Sequence, residues 1–199
     1  AHNLYQQGCY SFYQIDMEVV DKAATFMNEA LKIDPNYAPA YLGLGMNYLA
    51  KSFFGNAHSS EVIPHIRNCV RRIMEIDENL CESFDILGIL KAVYEWNKEE
   101  GGKAWQRSME LNPNNPNALR NYSIFLVTMR QFDFARKLSK RSKLLDPLSD
   151  LSEVCVALPD FYTNQYDKAF NRLSKYHDLQ PPFSWALEYL WRTLSFLNK

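Results

Sequence analysis

The chain has 199 residues, 47 % of them apolar, and a net charge of −1. That balance excludes whole-chain disorder and a strongly basic nucleic-acid binder. Seven glycines and nine prolines are too few for a turn-rich sandwich or barrel, and no apolar run reaches the roughly 18 residues of a membrane-spanning helix. Cys9, Cys69, Cys81 and Cys155 lack C-x-x-C or zinc spacing. Free thiols in a reducing, cytoplasmic setting are the expectation. The chain begins at Ala1 with no signal peptide following, so it reads as a piece of a longer protein.

In chain order, the apolar periodicity predicts helices over 3–14, 18–33, 38–52, 60–76, 80–96, 99–111, 116–129, 132–145, 150–161, 165–178 and 184–198. Ser60 is the expected cap of the fourth, with Pro64 in its first turn. Asn115 before Pro116 is the expected cap of the seventh, and Ser184 that of the last. Pro159 falls near the end of the ninth.

The helices come in pairs with a repeat of 34 residues. Pro113, Pro147 and Pro181 are spaced 34 and 34, while Pro35 and Glu78 occupy the matching contexts upstream at spacings of 43 and 35. Ala135 and Ala169 keep the same register. Tyr41, Leu44, Gly45 and Tyr48 fall at i, i+3, i+4 and i+7, as do Phe84, Leu87, Gly88 and Lys91. This pattern of an aromatic residue, Leu-Gly, a small residue and a proline resembles the tetratricopeptide-repeat (TPR) family. The resemblance covers almost the whole chain. It implies an all-α, right-handed TPR superhelix of about five helix pairs plus a C-terminal helix. The expectation is one solenoid over 1–199, with repeats at about 1–37, 38–80, 81–115, 116–149 and 150–183 and a closing helix at 184–198. Ile66 stands where the second repeat should carry a small residue, so its two helices are expected slightly further apart.

In such solenoids the first helix of each pair lines a groove that binds extended or helical partner segments. The candidate groove residues are Tyr5, Cys9 and Phe12 in the first repeat, Leu42, Met46 and Leu49 in the second, Asp85, Ile89 and Ala92 in the third, and Arg120, Asn121, Ile124 and Val127 in the fourth. TPR domains that bind C-terminal carboxylates use a clamp of Lys, Asn and Arg; only Arg120 and Asn121 resemble part of one. The bland alternative for Leu42, Met46 and Ile89 is ordinary core. The nine extra residues of the second repeat fall near Ser52–Ser60 and carry Phe53 and Phe54, either a contact site or side chains tucked against the solenoid.

His58, Glu61 and His65 share metal-like spacing but lack a fourth ligand, so a solvated face is expected. Between Arg130 and Lys143 lie six basic residues, Arg130, Arg136, Lys137, Lys140, Arg141 and Lys143. They offer contacts to phosphate or to an acidic partner, although such a run ordinarily marks a solvated outer face. No nucleophile motif, P-loop or dinucleotide fingerprint occurs, so neither catalysis nor a cofactor is expected. The last helix, with Trp185 and Trp191, is apolar on more than one face. It is expected to pack on further sequence, on a second copy as a homodimer, or back into the groove.

The segments LYQQGCY, DKAATFMNEALKIDPNYAPAYLGLGMNYL and ILKAVYEWNKEEGGKAWQRSMELNPNNPNA resemble TPR regions of bacterial winged-helix transcriptional regulators (HilA-like, ToxR/CadC-like) and of class III adenylate cyclases. That resemblance implies a non-catalytic protein-protein interaction domain, the regulatory part of a transcriptional regulator. Its partner would be a protein or peptide, such as its own DNA-binding domain or a second copy, with no direct nucleic-acid contact. The alternatives are a ligand-sensing TPR domain for a small apolar molecule and a free-standing adaptor.

Overall fold

Local chemistry sets the helix boundaries. Asn115 accepts hydrogen bonds from the backbone N–H groups of Asn117 at 3.0 Å and Ala118 at 3.2 Å. Pro116 follows at a position whose N–H has no intrahelical partner to lose. Ser149 caps the ninth helix in the same way, accepting from the Ser152 N–H at 3.2 Å.

The computed structural model describes residues 1–12, 17–53, 55, 57–174 and 184–197. Among these the helices are α1 (His2–Phe12), α2 (Met17–Ile33), α3 (Ala38–Phe53), α4 (Ser59–Ile76), α5 (Cys81–Ile89), α6 (Lys98–Leu111), α7 (Pro116–Thr128), α8 (Phe132–Leu145), α9 (Asp150–Tyr162), α10 (Tyr166–Leu173) and α11 (Ser184–Leu197). No strand occurs among the described residues. The chain forms two compact units, Ala1–Leu111 and Asn112–Lys199. In the first, α1 packs on α2, α3 on α4 and α5 on α6; in the second, α7 packs on α8 and α9 on α10.

Some boundaries differ from expectation. α4 starts at Ser59, and His58 holds the cap position without a side-chain bond, so Ser60 is a helical residue rather than the cap. Pro64 is then the sixth residue of α4. It lacks the N–H that would meet the Ser60 carbonyl, and both residues are exposed, which leaves that carbonyl to solvent. The expected ends of the first and tenth helices lie outside the described residues, as do Phe54, Tyr176, His177 and Pro181.

The third repeat contains a structural irregularity that the spacing explains. Gly88 and Gly101 are 13 residues apart, whereas the equivalent Ser123 and Ala135 are 12 apart. α5 runs into a π-helical turn, Leu90–Tyr94, which absorbs one extra residue without breaking the helix. The residues that end the first helix of repeats three, four and five with positive φ are Trp96, Arg130 and Asn164, at 57°, 59° and 61°. They are spaced 34 and 34, so the extra residue lies between Gly88 and Trp96. The turn bonds show the same slip. The N–H groups of Gln131 and Gln165 reach back five residues, to Leu126 and Asp160, each at 2.9 Å. The Asn97 N–H reaches back six, to Lys91, at 2.8 Å.

Small residues set the close approaches within repeat three. A Cβ on Gly88 would lie 2.5 Å from the Trp105 ring, and one on Gly101 would lie 2.6 Å from the Ala92 Cβ. Ser108 and Ser142, 34 apart, each donate from Oγ to a carbonyl at the start of their partner helix, Cys81 and Pro116 respectively, both at 2.8 Å.

Candidate interaction surface

The first helices of the Ala1–Leu111 unit sort the sequence-predicted residues into two kinds. Leu49 is buried in a core cluster with Val62, Ile66, Val70, Ile86 and Leu90. It is therefore core and not groove, as are the buried Ala92 of the π-helical turn and, in the second unit, Val127 of α7. α3 extends to Phe53 and α4 begins at Ser59, and Leu49, one turn before the end of α3, clusters with Val62 of α4. Ile66, fully buried, fills this same cluster. Leu42, Met46 and Ile89 are partly buried and pack on the cluster from outside. They are at once core margin and accessible surface.

Asp85 is also displaced from the groove. Its carboxylate is buried and accepts the Trp105 indole N–H at 2.8 Å. A carboxylate two helix positions from the Leu87–Gly88 seam faces the pair, and Gly88 opens the space that brings the indole to it. Phe53, the last residue of α3, is 57 % exposed. His58, Glu61 and His65 are exposed, and the His65 ring stacks on Tyr48 with centroids 4.7 Å apart.

In the Asn112–Lys199 unit, Arg120, Asn121 and Ile124 stand half-buried on α7. Arg120 donates from Nη2 to Asn117 Oδ1 at 2.8 Å. Its buried Nε has no hydrogen-bond partner among the described residues.

Sequence reasoning missed an ion network around two buried carboxylates in this unit. α9 is buried from Ser152 to Phe161 and carries Glu153 and Asp160 on one face, seven residues apart. Arg136 and Lys143 of α8 have the same spacing. Arg136 Nε and Nη2 donate to Asp160 at 3.3 and 3.2 Å, and Lys143 Nζ lies 3.4 Å from Glu153. Arg172 of α10 bridges both carboxylates, at 3.3 Å from Asp160 and 3.6 Å from Glu153. The matched seven-residue spacings were the available signal.

α11 does not stand free. Leu190 and Thr193 are buried, and the helix packs on α9 and α10. Phe196 stacks on Tyr166 with centroids 4.7 Å apart, and the Tyr189 ring meets Phe161 edge-on at 5.5 Å. Burial and the Tyr162 hydroxyl push the Tyr189 phenol up. The outward face keeps Trp191, 67 % exposed; the side chain of Trp185 lies outside the described residues.

None of the four cysteines is in a disulfide. Burial pushes the Cys69 and Cys155 thiols up to about 12, which suppresses the reactive thiolate. Among the described residues each unit carries a shallow open groove. The first, of about 430 Å³, lies between α4 and α5 over Val70, Met74, Leu87 and Leu90. The second, of about 410 Å³, lies by Phe132, Phe134 and Thr163. Among the described residues no helix is long and apolar enough to cross a membrane.

No sequence-family model and no curated protein matches the chain. Solved structures do. TTC0263, a thermophilic TPR protein of Thermus thermophilus, aligns with a TM-score of 0.74 at 16 % identity over 100 % of this chain and 99 % of its own. The fold is an all-α TPR solenoid. PilW, a type IV pilus biogenesis factor, gives a TM-score of 0.72 at 17 % identity, covering 99 % of this chain and 86 % of its own. YrrB, a TPR protein with an unusual peptide-binding site, gives 0.55 at 22 % identity over 90 % and 87 %. At these identities the likeness concerns the solenoid architecture.

Proposed function

We propose that this TPR chain is a non-catalytic protein-protein interaction domain whose contacts lie on the first helices of its repeats. The observation that carries the reading is the set of partly exposed apolar side chains Leu42, Met46 and Ile89, held from behind by a buried core. Leu42 and Met46 are one helical turn apart, which suits the apolar face of a partner helix. In the second unit, Arg120, Asn121 and Ile124 on α7 are likewise half-buried. The fold shared with YrrB and its peptide-binding site supports the same reading.

The sequence segments that resemble bacterial regulators support a finer assignment: a cytoplasmic regulatory part of a transcriptional regulator that contacts its own DNA-binding domain or a second copy. Trp191, exposed on α11, is the candidate contact for a homodimer. A photo-crosslinking residue at Met46 or Ile124, introduced in the native cell, should capture one protein, while the same residue at Lys103 should capture none. Equal capture from all three sites would sink the groove reading. A winged-helix coding segment upstream of Ala1 is the expected finding for the regulator assignment; its absence leaves a free-standing adaptor.

A further inference from the structure

The basic helix α8 separates into two faces. Arg136 and Lys143 turn toward the Asp160 and Glu153 carboxylates of α9. Lys137, Lys140 and Arg141 are exposed. The one carboxylate on α8, Asp133, pairs with Arg136 at 3.1 Å. Lys137 and Lys140 have no ion pair among the described residues, and Arg141 donates only to the neutral Asn114 amide oxygen at 2.7 Å. Leu144 follows Lys137, Lys140 and Arg141 by seven, four and three residues, which places it on the same face. It is 76 % exposed, and Leu148, just beyond the helix, is 92 % exposed.

The equivalent helices elsewhere in the chain lack this arrangement. On α6, Lys103 pairs with Glu99, and Arg107 with Glu110 at 3.1 Å. On α4, Arg71 and Arg72 pair with Glu75, and Arg67 with Glu95 at 2.7 Å. α8 carries five basic residues against one acidic, in a chain whose net charge is −1. The excess is local.

We propose that the outward face of α8 is a second interaction surface, separate from the first-helix groove, that takes an acidic amphipathic segment of a partner protein. Carboxylates on the partner would meet Lys137, Lys140 and Arg141, and an apolar side chain beside them would cover Leu144. The apolar centre favours a protein over a nucleic acid. A phosphate backbone could satisfy the three cations but offers nothing to remove Leu144 from water.

The test is fluorescence anisotropy of the whole chain with a labelled peptide of about 18 residues, five helical turns, built only from Glu and Leu with the leucines on one face. Binding is expected, weakening as salt rises. The Lys137→Gln/Lys140→Gln/Arg141→Gln variant should lose about tenfold or more in affinity, and Leu144→Ser about threefold. Lys103→Gln/Arg107→Gln on α6 should leave binding unchanged. All the α8 positions are exposed, and circular dichroism checks that each variant keeps its fold. The proposal is overturned by any of four outcomes: no binding of the peptide, undiminished binding by the triple variant, equal binding of an all-Glu peptide without leucines, or tighter binding of an oligothymidylate of matched charge. The last would make the face a nucleic-acid surface.

Discussion

Repeats three and four occupy neighbouring stretches of sequence, and their second helices, α6 and α8, have 14 residues each and start 34 apart. They solve the same packing problem differently. Repeat three is closed by an indole over a glycine, a buried carboxylate on the indole N–H, and a π-helical turn that takes up one surplus residue. Repeat four has the shorter spacing, small Ser123 and Ala135 at the equivalent points, and regular helix throughout α7. The charge on the exposed faces also differs, balanced on α6 and strongly positive on α8. A repeat thus fixes the distance between helices, while the means of keeping it and the chemistry outside it vary freely.

Single-residue deletions should break this comparison most visibly. Val93 lies in the π turn with its side chain 57 % exposed. Removing it restores the shorter spacing and should cost less than about 1 kcal/mol. Removing Ile124 from regular α7 slips every later core position and should cost more than about 4 kcal/mol. Denaturant unfolding measures both, and equal losses would mean that the π turn is not the site of the surplus residue.

Substitution at the close approach comes next. Gly88→Ala forces a methyl into the Trp105 ring and should cost about 1–3 kcal/mol, as overpacking does. Ser123→Ala loses only an Oγ bond to the Arg120 carbonyl and should cost under about 1 kcal/mol. Asp85→Ala leaves the buried Trp105 N–H without its acceptor, at about 1–3 kcal/mol. It should also shift the tryptophan emission. No spectral change would place the indole elsewhere.

Trp96, just past the π-helical turn that continues α5, and Arg130, just past α7, hold nearly the same positive φ. Glycine at either position removes a backbone strain of about 1 kcal/mol, so Trp96→Gly and Arg130→Gly should each raise the melting temperature by about 2–4 °C. A rise at one position only would show that its side chain already compensates the strain.

The smallest expected effect is on pH dependence. Burial alone would raise the Glu95 carboxyl, but hydrogen bonds from Lys91 and Arg67 outweigh it and hold the group below the ordinary range. Lys103 lowers Glu99 in the same way. A carboxyl depressed in the folded state adds stability above its unfolded pKa, near about 4.3, and loses it as pH falls through the folded value. Melting temperature should therefore hold from pH 7 to about 5 and then decline. Glu95→Gln should flatten that decline by about 1–2 °C. An unchanged slope would remove Glu95 from the account.

The repeat was legible because proline and alanine recur at fixed spacing, and a helix pair tolerates only small residues where it crosses most closely. Side-chain exposure was legible only in part. Leu42, Met46 and Ile89 lie half-buried at the core margin. Leu49 and Asp85 went inside because burial depends on what covers a side chain, here Val62 from α4 and the Trp105 indole from α6. Periodicity within α3 or α5 says nothing of that cover. The run of basic residues was plain in sequence, but its division into inward Arg136 and Lys143 and outward Lys137, Lys140 and Arg141 was not, since the dividing carboxylates stand on α9.

The sequence by itself determined the helices, their pairing interval and the existence of one surplus residue between Glu78 and Pro113. These follow from local propensity and spacing, which are properties of the chain. Only the tertiary structure decided where that residue was absorbed, which carboxylates were buried and which cations remained unpaired. Those outcomes depend on neighbours brought together from other helices, and on the high free energy of leaving a charge buried without a partner.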